Sequence, residues 1–304
     1  MHPSLMLVER FEELLARPRD DTPYDYQTLF RSGGFLARRA SQKKLGLLKK
    51  VDEALRAMLR PSERVVFLCH AVAHSFWESY FVGLVIYYLN RRALVLTNER
   101  IILIQIDSRR RPRDLRSQIP LGAVESLKRS GLRNVVLRLR SGARLVFVSL
   151  SRGDRKSLVE LTSAAPGMAS RERAGSGLEH LCPHCYKVVE GHPVECPWCR
   201  GAFKSWRKAG FLSLLFPGLG DIYLGHLRFA VVETLVAAFL WLSIVLAIVA
   251  PDPTAPIGPS EIATSAVTLF LFMHGVDAFA TFHIAKKGHY PARAPDAPGA
   301  ATAR

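Results

Sequence analysis

Two long apolar runs near the C-terminal end constrain this chain more than any other feature. Residues 229–250 form a run of 22 with one ionisable group, Glu233. Residues 262–285 form a run of 24 that contains His274, Asp277 and His283. At about 1.5 Å per residue each helix would exceed about 30 Å, enough to cross the hydrocarbon core of a bilayer. Helices inside soluble domains are commonly shorter and more amphipathic. Two membrane spans are therefore expected, with a buried helical hairpin as the alternative.

The link between the runs, residues 251–260, holds four prolines and cannot continue a helix. It carries no Lys or Arg. The outer flanks do: Lys204, Arg207, Lys208 and Arg228 precede the first run, and Lys286 and Lys287 follow the second. The positive-inside rule places both flanks in the cytoplasm and the link outside. Everything before residue 204 is then expected to be cytoplasmic, and so is the C-terminus. No cleavable signal peptide is legible in residues 1–11, where the apolar part is short and Glu9 comes early. The first span would itself act as the insertion signal.

Ahead of that span, residues 211–225 are apolar but too short to cross, and Pro217, Gly218 and Gly220 interrupt them. The pattern Pro217-Gly218-x-Gly220-Asp221-x-Tyr223-x-Gly225 resembles the signature turn of the two-helix membrane domains called TM-two. The resemblance covers about residues 204–290. It implies a membrane hairpin, and it implies an Asp in the last helix, a place that Asp277 fills. It says almost nothing about activity.

The net charge of +16 is unevenly spread. Residues 61–165 carry 18 basic and 8 acidic groups, whereas residues 211–304 carry 5 and 6. An excess of this kind suits anionic lipid or nucleic acid, or serves orientation in the membrane alone.

Residues 4–16 carry Leu5, Val8, Phe11 and Leu15 at helical spacing. Residues 43–60 repeat the pattern with Leu48, Val51, Leu55 and Met58, and Pro61 stops them. Lys43, Lys44, Lys49 and Lys50 on that helix are either a lipid-facing set or a solvated face of a helix packed on the next domain. Between the two helices, residues 31–35 read as a loop.

From residue 64 the periodicity changes to two. Residues 65–68, 80–89, 93–97, 101–106, 132–139 and 144–150 read as strands, with hairpin signals at Asn98-Glu99 and Ser141-Gly142. The alternation of Ile102, Ile104 and Ile106 with Leu103 and Gln105 predicts a half-buried strand. Residues 152–162 read as a closing helix, with Leu158 and Leu161 inward. About seven strands and a helix suit a small curved antiparallel sheet or barrel. The segments 94–103 and 119–126 resemble those of bacterial pleckstrin-homology and GRAM-like domains. That resemblance implies a binding fold, and such folds host many functions.

Inside this region lies Asp107-Ser-Arg-Arg-Arg-Pro-Arg-Asp-Leu-Arg116. Arg109, Arg110, Arg111, Arg113 and Arg116 form either a lipid- or partner-binding loop or a solvated one. Nucleic acid is the least favoured partner, because no aromatic residues interleave with the arginines to stack on bases.

The sharpest motif is Cys182-Pro-His-Cys185 with Cys196-Pro-Trp-Cys199, ten residues apart. Two such pairs place four thiolates around one tetrahedral ion and resemble a zinc ribbon. Structural Zn²⁺ is expected. Two disulfides are disfavoured in a reducing compartment, and iron in a rubredoxin-like site is a further option. His184 and His192 are nearby donors that a complete thiolate shell does not need.

The expected architecture is therefore multidomain and α+β. It comprises N-terminal helices (1–60), a PH/GRAM-like antiparallel barrel with a C-terminal helix (61–163), a linker (164–179), a zinc ribbon (180–203), a two-span membrane domain (204–290) and a disordered tail (291–304). The leading functional expectation is a non-enzymatic adaptor or scaffold in the bacterial inner membrane, with lipid and a protein as partners. The alternatives are a membrane enzyme or transport component using Asp221, Glu233, His274 and Asp277, and a nucleic-acid binder. No nucleophile elbow, P-loop or His-Glu-x-x-His motif is present.

Overall fold

Side chains that alternate in and out between residues 65 and 148 form strands, and the apolar residues past 205 form helices. The computed structural model describes residues 22–30, 37–74, 78, 87–131, 134–165, 177–250 and 258–293. The expected helix at 4–16, the loop at 31–35, positions 80–86, most of the linker, link residues 251–257 and the tail from 294 lie outside them. The chain divides into two compact units. One runs up to Leu181 and includes Tyr186–Val188; the other holds Cys182–Cys185 and the chain from Val189.

The first unit is built on strands β1 (Val65–His74), β2 (Arg91–Thr97), β3 (Arg100–Ile106), β4 (Pro112–Pro120), β5 (Val124–Ser130), β6 (Asn134–Leu139), β7 (Arg144–Val148) and β8 (Glu179–Leu181). All pairings are antiparallel, in the order β5-β6-β7-β1-β2-β3-β4-β8. The hairpins at Asn98-Glu99 and Ser141-Gly142 both form, and Gly142 supplies the positive φ of 83° that its turn requires. β1 bridges two meanders: β2 lies on one side of it, and β7 pairs with its far end through Val72 and Val148.

The expected barrel does not close. The outer edge of β4 is taken by β8, with Arg116 opposite Leu181 and Gln118 opposite Glu179. Among the described residues no strand joins β8 to β5. The expected second strand also changes character, since Tyr87–Leu89 is helical.

Among the described residues, the α-helices that pack on this sheet include α1 (Tyr26–Leu29), α2 (Ala37–Arg56) and α3 (Arg152–Ala164). Helix α2 starts and ends several residues earlier than its sequence pattern suggests. Leu48, Val51 and Leu55 pack on one face of the sheet with Leu68, Ile102 and Ile104. On the other face, Leu158 of α3 packs with Phe67, Leu103 and Phe147. Strand β3 is consequently buried on both faces rather than one, as expected of a strand covered on both sides. Lys44 does not face lipid or solvent. It is buried, pairs with Asp154 at 2.8 Å, and lies 4.4 Å above the Phe67 ring.

A buried ion pair pins the chain after α2 to the β2–β3 hairpin. Arg100 donates from Nη2 to Glu63 Oε2 at 2.7 Å and to the Met58 carbonyl at 2.7 Å. Its Nε meets Glu63 Oε1 at 2.8 Å, and Thr97 Oγ1 donates to the same oxygen at 2.8 Å. Nη1 donates to the side-chain amide oxygen Oε1 of Gln118.

The second unit contains β9 (Ala202–Phe203), α4 (Trp206–Leu215), α5 (Leu219–Leu224), α6 (Leu227–Val249), α7 (Pro259–Leu269), a π-helical segment (Phe270–Gly275), α8 (Val276–Ala285) and β10 (Pro291–Arg293). Helix α6 has 23 residues; α7, the π segment and α8 run on as one helix of 27. Both are long and apolar enough to span a membrane, and only 6% of the most apolar stretch of each is buried. A core helix of a soluble domain would be mostly buried. Residues 291–293, taken from sequence as the start of the tail, instead pair with β9, Pro291 opposite Phe203.

Burial works to push the Glu63 carboxyl up, but the Arg100 guanidinium and the hydrogen bonds outweigh it and hold it below its usual range. A carboxylate depressed in the folded state stabilises above its unfolded pKa, and that stability is lost as pH falls through the folded value. Glu63→Gln strands a buried guanidinium and is expected to cost about 3–5 kcal/mol. Denaturation of the intact protein, read by hydrogen exchange at the β2–β3 amides, is expected to show this loss near pH 7. The gap between the two proteins should shrink in acid. Equal protection of both proteins at neutral pH would show that the pair is not holding the hairpin.

Candidate functional site

Two clusters of chemistry-bearing side chains form in the second unit. The first is the cysteine cluster. Cys182 Sγ lies 3.7 Å from Cys199 Sγ, and Cys185 Sγ lies 3.7 Å from Cys196 Sγ. All four sulfurs fall within 4.8 Å of one another. They are free thiols, so the two-disulfide alternative is not what the chain forms.

Each Cys-x-x-Cys pair turns its backbone toward its own first sulfur. The His184 N–H points at Cys182 Sγ at 3.4 Å. In the second pair the N–H groups of Trp198 and Cys199 point at Cys196 Sγ. Burial works to raise that thiol, but these N–H groups outweigh it and lower it below its ordinary value. Burial pushes the Cys182 thiol up. The residue after each pair, Tyr186 and Arg200, has a positive φ of 59° and 61°. The two turns thus share one backbone shape, although neither has the glycine that would adopt it without strain. His184 is not a fifth donor to the cluster, since its ring packs against Gly201, where a Cβ would lie 2.5 Å from it. Four sulfurs so close together can hold a metal ion.

The second cluster is the polar heart of the helical hairpin. Helix α4 runs along α8, with Trp206 edge-on to Phe282 at 4.5 Å at one end. At the other end the Leu214 carbonyl meets His274 Nδ1 at 2.9 Å. The chain then turns at Pro217-Gly218, and α5 leads back until the Tyr223 hydroxyl accepts from the Ser205 N–H at 3.0 Å. The segment ahead of α6 is therefore a re-entrant helical pair packed against α8, where the sequence suggested only a broken apolar stretch.

The glycines of the turn have separate jobs. Gly218 has φ 88°, and a Cβ there would lie 2.6 Å from the Ala230 carbonyl of α6. Gly220 has no room at all: a Cβ would meet the Ala209 carbonyl at 2.3 Å, Ser213 Oγ at 2.4 Å and Thr281 Cγ2 at 2.7 Å. Gly225 ends α5 with φ 94° in open space. Small residues at such a crossing let helix backbones approach closely.

The turn's polar groups are met from both long helices. Asp277 Oδ2 accepts from the Gly218 N–H at 3.0 Å, and Thr234 Oγ1 donates to the Pro217 carbonyl at 3.1 Å. His274 is placed by partners at both ring nitrogens. Trp241 Nε1–H donates to Nε2 at 2.9 Å, so Nδ1 carries the hydrogen given to Leu214. It sits within the π segment, where the widened turn carries its ring toward α4. Trp241 and Thr234 carry no signal in the sequence, because only the folded hairpin brings them to their partners.

Asp221, Glu233 and Asp277, read separately along the chain, converge. A carboxylate oxygen of each lies within 4.8 Å of the others. Asp221 is 2% exposed and meets His226 Nδ1 at 2.7 Å. Such a group is small enough to be bridged by one proton or one cation.

The arginine segment belongs to the first unit and is not one loop. Asp107 accepts from the N–H groups of Arg109 and Arg111 at 2.8 and 2.9 Å, and Arg110 has φ 61°. Arg113 and Arg116 lie in β4. Arg116 is stacked 5.0 Å over Tyr186, so it is not part of an exposed basic face. Arg109, Arg111 and Arg113 are exposed, and Lys50 Nζ donates to the Arg109 carbonyl at 2.6 Å. Burial, together with Arg110 and Arg91, holds His70 down to about 4. Arg91, which the sequence did not single out, stacks 4.4 Å over the exposed Tyr88 ring.

No protein-family model matches the chain, and no curated protein matches it either.

Gly220→Ala forces a methyl group into three existing contacts and is expected to cost at least about 1–3 kcal/mol, with lower yield in the membrane fraction. Gly275→Ala is the control, since nothing lies within 4 Å of its Cβ and its φ is −66°. It should be neutral or stabilising by up to about 1 kcal/mol. Thermal unfolding of the two variants in detergent tests the contrast, and equal midpoints would contradict this packing.

Proposed function

We propose that the protein is a membrane-anchored adaptor, not an enzyme, that holds a binding domain and a structural zinc site at the cytoplasmic surface. One observation carries the reading. A single compact unit joins a closed four-thiol cluster to two long helices whose large apolar side chains are exposed. Leu235, Phe239, Val249, Phe272 and Phe279 are each at least 64% exposed. Exposed apolar area on this scale is stable only against lipid or a partner.

Zn²⁺ suits the cluster. A tetrahedron with Zn–S bonds of about 2.3 Å has edges of about 3.8 Å, close to the 3.7 Å separations observed. Four thiolates fill the shell and leave no position for substrate, so the ion would stabilise the fold. The PH/GRAM-like reading of the first unit is supported by its two meanders joined through β1 and followed by α3. The exposed Arg109, Arg111 and Arg113 would face anionic lipid or an acidic partner. The basic flanks of the spans support a cytoplasmic placement of both chain ends.

Purified intact protein is expected to contain one zinc per chain by elemental analysis, and Cys→Ser at any of positions 182, 185, 196 or 199 should abolish it. A reporter fused after Arg304 should be cytoplasmic, and one inserted at Pro256 should be exported. Iron in place of zinc, the reporters on reversed sides, or a soluble protein would each defeat its part of the reading.

A second reading is favoured by the convergence of Asp221, Glu233 and Asp277. Under it the hairpin handles protons or cations as a transport component. Ionisable groups at such depth usually turn toward protein and mark ion paths. Proton flux in proteoliposomes, lost in Glu233→Gln while protein level holds, would favour it. Absence of flux in the wild type would leave the carboxylates as fasteners of the turn.

A further inference from the structure

Where the cysteine-bearing segment meets the ends of the hairpin, the second unit encloses a cavity of about 60 Å³. Its wall includes His192, Lys204, Ser205, Trp206, Gly288 and His289. A cavity needs about 10–15 Å³ of such space to hold one water, so this one takes a group of a few waters' size, a phosphate and not an acyl chain. The geometry points to a pocket for the phosphate of an anionic phospholipid headgroup, a reading that rests on the membrane placement proposed above.

Three observations carry it. The first is charge. Among the described residues no carboxylate lines the cavity, and Lys204 does. The Trp206 ring forms part of the wall and is flanked by two cations, Lys286 at 4.3 Å and Arg207 at 4.9 Å. Lys204 and Lys208 sit together at 5.8 and 5.4 Å from the Tyr223 ring. Basic pockets between helices at the cytoplasmic boundary suit lipid headgroups.

The second is the donor set. Ser205 is the N-cap of the ten-residue α4, where its Oγ accepts from the Lys208 N–H at 3.3 Å, which leaves its hydroxyl hydrogen to donate. A helix start of this length adds the positive end of its dipole. His289 is buried, and its Nε2 meets the Val189 carbonyl at 3.3 Å, which fixes the ring in the wall. Burial, and Lys286 beside it, keep the His192 imidazole below its ordinary value, so the histidines act as neutral hydrogen-bonding surface.

The third is position. Ala285, the last residue of α8, lines the same cavity. Just beyond it along α8 and α4, the exposed side chains become apolar, with Phe279 64% exposed and Phe211 59% exposed. Trp206 and Tyr223 stand where interfacial aromatics stand in membrane proteins, at headgroup level. A phosphate here would be tied to an acyl chain lying against that apolar surface, which favours a lipid over a soluble phosphate.

The test uses the intact zinc-loaded protein in a neutral detergent, titrated with short-chain phosphatidylglycerol, with phosphatidylcholine, and with glycerol phosphate. Bound lipid is read by native mass spectrometry. Phosphatidylglycerol is expected to bind at least tenfold more tightly than phosphatidylcholine, and glycerol phosphate is expected to bind at least tenfold more weakly than the lipid. Lys204→Gln, and separately Gly288→Leu to fill the cavity, should remove that preference while one zinc per chain is retained. Lys128→Gln combined with Arg129→Gln, an exposed basic pair on β5, should leave it intact. Equal binding of the two lipids, or a preference that survives both pocket variants, overturns the proposal. Tight binding of glycerol phosphate alone overturns the lipid assignment. Failure of the membrane reading would show separately, as protein in the soluble fraction before any lipid is added.

Discussion

A chain that breaks its helix among apolar side chains must find partners for the backbone groups that the break releases. Where the surroundings exclude water, each unmet group costs several kcal/mol. The re-entrant pair α4–α5 is organised by this requirement. Its turn is met from α8 by Asp277 and from α6 by Thr234, and the Leu214 carbonyl near the end of α4 finds His274. Gly218 and Gly220 are needed because those partners reach the turn only if the backbones nearly touch. The side chains that fasten the turn are thus the polar groups that look anomalous inside two apolar helices.

That arrangement gives the hairpin a polar interior and an apolar exterior, which is the reverse of a soluble domain. Asp221, Glu233 and His226 extend the polar interior toward the start of α6. The cysteine cluster lies outside the hairpin, where its thiols can give up protons and hold an ion. A filled four-thiolate shell has no open position for a further ligand, so an ion held there would stabilise the fold.

Much of this was readable from the sequence, for reasons of range. The cysteine pairs are local, since two short turns decide where each pair of sulfurs points. The two long apolar helices declare themselves by length and composition. Leu48, Val51 and Leu55 gave the buried face of α2 correctly because helical periodicity is also local. What escaped depends on partners distant in sequence. The open edge of the sheet is decided by Glu179–Leu181, three residues at the end of the linker and start of the cysteine segment with no strand signal of their own. Lys44 reads as a surface lysine until Asp154, over a hundred positions later, is placed against it. Arg116 looks like one of five equivalent arginines until β4 and Tyr186 claim it. The three carboxylates were visible one by one, but their meeting depends on the path of α5, which Gly220 permits and no periodicity announces.

Strand β9 lies just before the hairpin and β10 just after it, and the two are hydrogen-bonded, with the Lys204 N–H also donating to the Tyr290 carbonyl at 2.8 Å. The pairing has a topological consequence that does not depend on charge. Two residues that share a hydrogen bond stand on the same side of any bilayer, so the chain between Phe203 and Pro291 crosses it an even number of times. One crossing or three would tear the small sheet apart. Parity is thus built into the backbone. The lysines and arginines at the flanks are left to decide only which compartment the sheet faces.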